Sequence, residues 1–271
     1  MTTIPYILVL LAYGIVSFVH LLPGVAPRAV EERARLLVMV GATVHLVELG
    51  GLLMFGAVAP GYPEALSAAS FGIAVAWLVV ARDRLSSIGV FLTPLSAVML
   101  GFALIAPRHQ VAAMAADPVA PSLAAPIHLG LMVAGLAGFA VSFAVGVAYL
   151  VVRDRLKRRK LSGLPRLPAL ETLDRIQFRA MLFGFVFLTL GIVTGGAWAA
   201  WSLDGGSWVA DPKVWFTAVI WLWYGVALQV RLVAGWRGRW GALFSIVGFT
   251  GMVFSLVALD SLVSGFHAYG P

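Results

Sequence analysis

Eight apolar runs dominate the chain, at residues 5–22, 36–58, 65–81, 85–106, 126–152, 180–201, 214–230 and 240–263. A bilayer core is crossed by a helix of ~20 apolar residues. Inside that core every backbone polar group must be paired within the segment, which leaves the helix as the spanning structure for runs like these. The third run has the weakest pattern. Composition points the same way, with 11% charged residues, 61% hydrophobic residues and a mean hydropathy of +0.96, where soluble domains carry about 25% charge. The fold class expected is all-α integral membrane, a bundle of about eight transmembrane helices. The 271 residues leave no room for a separate soluble domain. The first run follows no basic residue and shows no small-residue cleavage pattern, so it is expected to be retained as a helix.

Basic residues set the orientation, because loops rich in Lys and Arg stay on the cytoplasmic side. Seventeen of the 19 Lys and Arg fall in alternate loops, at Arg28, Arg33 and Arg35, at Arg82 and Arg84, between Arg153 and Arg179, and at Arg231, Arg237 and Arg239. Only Arg108 and Lys213 lie on the other side, so both termini are expected outside. The net charge of +7 is thus a matter of sorting and of contact with anionic membrane lipid, and nucleic acid is not expected as a partner. The chain has no cysteine, which excludes a thiol relay, a thiolate metal site and covalent haem attachment through its own sulfur.

The long inner connection opens with "RDRLKRRK" at 153–160, a stop-transfer cluster. In the residues that follow, Leu170, Leu173 and Ile176 recur at every third position, the spacing expected of a short amphipathic helix on the inner membrane surface. An outer segment, "APRHQVAAMAADPVAPSLAAP" at 106–126, is rich in proline and is expected to be a loop with one short interfacial helix. The chain divides into a membrane region at 1–125 and a second at 126–271, each with four spans.

Chemistry concentrates at the outer side. The connection "DGGSWVADPKVWF" at 204–216 places two glycines, two acids, a lysine and two tryptophans between apolar runs. His128 begins the fifth run and His267 follows the eighth, at the same expected depth. Haem takes axial side-chain ligands within an apolar enclosure, and its propionates want cations. Trp198, Trp201, Trp208 and Trp215 offer flat faces, Gly205 and Gly206 let backbone approach a ring, and Lys213 and Arg108 are the outer cations. The bland alternative is an interfacial aromatic belt with solvated histidines. Asp211 before Pro212 also suits a helix cap. His20 and His45 lie at membrane depth, where ionisable groups usually face the bundle interior. They form a candidate inner site, though about one helical turn (5.4 Å) separates their expected depths. A contact between His45 and Glu48, one turn on, is the simpler expectation. His109 is expected in an exposed loop.

Residues 126–270 resemble the cytochrome c assembly proteins of the CcsA/CcmC type, closest to the small eight-helix members that include the HemX-like proteins. The resemblance rests on "LETLDR", "LTLGIVTGGAWA", "DPK", "GWRGR" and "SGFHAYG". It implies a bacterial-type inner (cytoplasmic) membrane and handling of non-covalent haem b, with no metal apart from the haem iron. It also implies a tryptophan-rich outer loop, here Trp208, Asp211 and Pro212, flanked by the ligands His128 and His267. The chain departs from the family pattern in three places. Ala210 stands where a second tryptophan precedes the aspartate, Val214 where an acid is usual, and Gln229 where export members carry a membrane histidine. Glutamine is a poor ligand for haem iron.

Two functions follow as expectations. One is a haem-binding protein that presents haem at the outer face for cytochrome c maturation, beside a partner with a large external domain. The other is a HemX-like accessory or regulatory membrane protein of haem biosynthesis, tied to the level or function of a haem-biosynthesis enzyme. A transporter of some other substrate, using Glu48 and the inner histidines, is a third class. No nucleophile–base arrangement stands out, so no catalytic residue is named and the chain is not expected to be an enzyme.

Overall fold

The computed structural model describes residues 3–21, 28–55, 62–80, 88–106, 124–159, 168–202 and 209–257. Those residues form eight helices: α1 (Thr3–Leu21), α2 (Arg28–Phe55), α3 (Tyr62–Val80), α4 (Gly89–Ile105), α5 (Ala124–Lys157), α6 (Leu170–Ser202), α7 (Pro212–Val233) and α8 (Arg239–Val257). Six of them are long and apolar enough to cross a membrane, while α1 and α4 contain shorter apolar stretches. The protein is a multi-pass helical bundle. "Inner" below denotes the end that carries the basic loops, and "outer" the opposite end.

Several helices outrun their apolar runs on the inner side. α2 begins at Arg28, α5 continues to Lys157 and α6 begins at Leu170. These extensions are rich in Arg, Glu, Leu and Ala, all good helix formers. Two ion pairs one turn apart, Arg158–Asp154 and Arg175–Glu171, both 2.9 Å, run along them. The surface helix expected around Leu170, Leu173 and Ile176 is therefore the first part of α6 instead. Leu173 is fully buried, and the three-residue spacing marks a face turned to other helices rather than to a membrane surface. No proline or glycine between 170 and 179 breaks the helix.

In the first half, α1 packs on α2 and α4, and α3 on α4. Ser70 and Ser96 join α3 to α4 reciprocally, each hydroxyl donating to the other's carbonyl at 2.8 and 2.9 Å. In the second half, α5 packs most extensively on α6 and also on α8, and α3 meets α5 between the halves. Glycine allows the α5–α6 backbones to touch. A Cβ on Gly138 would lie 2.8 Å from the Gly184 nitrogen, and one on Gly135 would lie 3.0 Å from that of Leu188. Phe139 of α5 stacks on the buried Tyr224 of α7, with ring centres 3.7 Å apart.

Polar groups fix the inner part of the second half. Arg231 donates to both Asp174 carboxylate oxygens at 2.9 and 2.8 Å, and the Gly238 N–H donates to Oδ1 at 2.7 Å. The Arg231 guanidinium also lies 4.4 Å from the centre of the Phe178 ring. One turn deeper, Gln177 Nε2 donates to Ser245 Oγ at 2.8 Å, and Ser142 meets Ser245 at 2.7 Å. A single chain of contacts thus ties α5, α6, α7 and α8 together.

Candidate functional site

At the outer end α5 and α6 are joined by an imidazole. His128 lies one turn into α5, and its Nδ1 is 2.8 Å from the Gly191 carbonyl oxygen. A carbonyl only accepts, so Nδ1 carries the proton and Nε2 carries the ring lone pair. An imidazole fixed in this way through one nitrogen is oriented to ligate through the other. Room for the ring comes from Gly195, where a Cβ would stand 2.6 Å from His128 Cε1 and 2.7 Å from Nδ1. Gly191 and Gly195 are one turn apart on α6, and the half-buried Trp198 follows on the same stripe. The helical spacing of these residues was readable in the sequence. Their pairing with His128 was not, because it depends on the register between two helices.

Across the connection, α7 begins on a built cap. Asp211 is 3% exposed, and its Oδ1 accepts the Lys213 backbone N–H at 2.7 Å, with Pro212 in the first helical position. Proline loses nothing there, since that N–H has no helical partner. The helix cap read from the sequence is thus present. Lys213 is half-buried, whereas Trp215 is 62% exposed and faces away from the bundle. His267 and Trp208 lie outside the described residues, as do Arg108, His109, Gly205, Gly206 and the side chain of Trp201. Gln229 is exposed on the outside of α7, not aimed into the core.

His20 and His45 are not brought together. His45 is fully buried on the level of Tyr6 and Tyr13, whose ring centres lie 5.6 and 6.1 Å from its own, with Phe71 at 5.6 Å. Its Nε2 is 2.7 Å from Ser67 Oγ and its Nδ1 is 3.5 Å from the Tyr13 hydroxyl. Both nitrogens are engaged, and by other helices rather than by Glu48 as expected. His20 lies two turns of α1 farther inward than Tyr13, about 10 Å. There Thr93 Oγ1 donates to the Gly89 carbonyl, so it accepts from His20 Nδ1 at 3.1 Å. Trp77 packs edge-on to the His20 ring, 5.3 Å away between centres. The depth difference exceeds the one turn expected, and the two rings have separate surroundings.

A family model described as "Cytochrome C assembly protein" matches residues 60–267. The cytochrome c biogenesis protein CcsA of Chlamydomonas reinhardtii is 29% identical over 190 residues, covering 68% of this chain and 51% of the relative. The protein of the same name from Synechococcus sp. (strain CC9902) is 30% identical over 206 residues, covering 66% of each. That from Prochlorococcus marinus (strain MIT 9515) is 41% identical over 102 residues, which are 37% of this chain and 32% of the relative. The chain therefore spans between about a third and two thirds of the length of these relatives.

Proposed function

The chain belongs to the cytochrome C assembly protein family, and from that premise we propose that it holds haem non-covalently at the outer end of α5 and α6 and presents it there for cytochrome c maturation. The observation that carries this reading is His128 at the outer end of α5, whose Nδ1 contact with the Gly191 carbonyl fixes the ring and orients Nε2 as the proposed ligating nitrogen. The donor chemistry fits, since haem iron accepts imidazole nitrogen as an axial ligand. In this reading His267 supplies the second axial nitrogen. Trp198, Trp201 and Trp208 flank the ring, and Lys213 meets a propionate. Trp215, turned outward, forms the rim, while Asp211 holds the start of α7 in place. The relatives' name, cytochrome c biogenesis protein, supports the pathway. The protein makes no bond of its own in this role; a partner with a large external domain brings the apocytochrome to the outer face of a bacterial-type inner membrane.

Absorption spectra of the detergent-purified protein, oxidised and reduced, test the proposal in cells supplied with haem precursor. A sharp low-spin reduced spectrum, lost in both His128→Ala and His267→Ala, is the expected result. A spectrum that survives both changes overturns the outer site.

One observation favours a second reading, the HemX-like accessory protein. At the position of the family's membrane histidine stands Gln229, and it faces away from the core, which suits haem that is held or sensed rather than relayed across the bundle. Co-purification separates the two readings. Recovery of a haem-biosynthesis enzyme with the solubilised protein favours the accessory role, and recovery of a partner with a large external domain favours presentation.

A further inference from the structure

The inner end of the second half carries a recess of about 270 Å³, lined by Tyr149, Leu170, Glu171, Asp174, Arg237 and Gly238. We propose that it binds the phosphate headgroup of an anionic phospholipid from the inner leaflet. The inference is independent of the outer haem site.

The recess has a firm floor. Gly238 adopts φ +64° in the turn between α7 and α8, a conformation that favours glycine, and a Cβ there would run into the Tyr149 hydroxyl. Its N–H is held by Asp174. Two acids line the wall, yet neither leaves its charge unanswered. Asp174 accepts from Arg231 through both oxygens, and Glu171 pairs with Arg175 at 2.9 Å. Arg237 stands at the lip; its charge acts on Asp174, but it makes no ion pair at contact distance among the described residues. The Tyr149 hydroxyl lines the same space and makes no hydrogen bond among them. One cation and one hydroxyl therefore face a recess of headgroup size, and a phosphate ester offers the acceptor oxygens both lack.

The depth suits a lipid rather than a solute. Trp236 and Trp240, beside Arg237, stack with ring centres 5.0 Å apart and are 44% and 47% exposed. Exposed tryptophan is typical of the membrane–water interface. Leu232 and Val233, at the end of α7, are 67% and 83% exposed and give acyl chains an apolar surface at that level. With both lining acids paired to Arg231 and Arg175, the cation left at the recess is Arg237, and a cation at this level attracts anionic headgroups.

The test uses the full-length protein in detergent, titrated with phosphatidylglycerol, phosphatidylcholine or inorganic phosphate. Bound lipid is counted by native mass spectrometry and thermal unfolding is followed in parallel. Phosphatidylglycerol is expected to bind and to raise the unfolding temperature, with phosphatidylcholine well behind. Arg237→Gln should weaken phosphatidylglycerol binding about fivefold, the scale of one cation at an anionic surface. Tyr149→Phe should weaken it less, and Arg158→Gln, which removes an inner-face charge away from the recess, should leave it unchanged. Unfolding of each variant without lipid confirms that it is folded. Equal losses in Arg158→Gln and Arg237→Gln would reduce the effect to diffuse attraction and overturn the site. So would an Arg237→Gln variant that binds as the parent does. Inorganic phosphate matching phosphatidylglycerol in effect would assign the recess to free phosphate instead.

Discussion

The inner and outer ends of α5–α8 are held by opposite means. At the inner end a carboxylate, a guanidinium and a backbone N–H close on one another, backed by Gln177, Ser142 and Ser245. At the outer end α5 and α6 meet through an imidazole–carbonyl bond, and close approach depends on side chains that are absent, at Gly191 and Gly195. Charge pairing in a poorly solvated place fixes register, because a misplaced partner leaves a buried charge. A glycine-lined groove fixes little beyond distance. The contrast assigns to the inner end how the helices stand, and to the outer end how one imidazole is oriented.

The largest effect that would test this comparison is expected from Asp174→Ala. The Arg231–Asp174 side chains are only 10% and 14% exposed, and removing one partner of a buried pair costs about 3–5 kcal/mol. The slight exposure places the expectation at the lower end, about 3 kcal/mol, read as a fall in thermal stability in detergent. Replacing Asp174 and Arg231 together with Leu and Met should recover much of the loss. If Asp174→Ala is as stable as the parent, the inner end is not the brace.

Next comes the helix contact that lies between the two ends. A Cβ at Gly138 meets the Gly184 nitrogen at 2.8 Å and its Cα at 2.9 Å, and backbone cannot rotate out of the way. Gly138→Ala should cost about 1–3 kcal/mol, as overpacking does. Gly130→Ala on the same helix, where a Cβ would meet nothing within 4 Å, should be neutral. Equal unfolding temperatures for the two variants would mean that α5 and α6 do not approach as described.

How much of this was legible in the sequence follows from which forces are local. The helices were legible because a bilayer core leaves an apolar run no alternative conformation. The cap at Asp211 was legible because Asp-Pro acts within a few residues. What failed was partner choice across helices. His45 was matched to Glu48, its neighbour one turn away, yet its ring bonds to Ser67 of α3. Leu173 was placed on a membrane surface by its spacing, yet α5, α7 and α8 cover that part of α6 through contacts no local pattern encodes. The role of Gly195 was likewise hidden, since a glycine in a helix says only that something comes close.

Gly195→Ala probes the outer end directly and depends on the haem proposal for its readout. The added methyl would lie within 2.7 Å of His128 Nδ1, so the ring must turn and the bond to Gly191 must lengthen. A rotating side chain gives way more easily than backbone, and the stability cost should be small, about 1 kcal/mol. The haem spectrum, by contrast, should weaken or shift toward high spin. Stability and spectrum falling together would instead mark Gly195 as ordinary packing.

The smallest effect also separates structure from chemistry most cleanly. Asp211 caps α7 and is buried beside the proposed haem site, so its removal mixes two roles. Asp211→Ala should cost about 1 kcal/mol through the lost cap. Asparagine caps as well as aspartate does but carries no charge. Asp211→Asn should therefore restore stability whatever else the residue does. If Asp211 serves only to place the start of α7, Asn also restores the haem spectrum of the parent. If its negative charge acts on the bound group or on Lys213, stability returns while the spectrum stays altered. That outcome would give the outer end a charge of its own, and the contrast with the inner end would narrow to where each charge is spent.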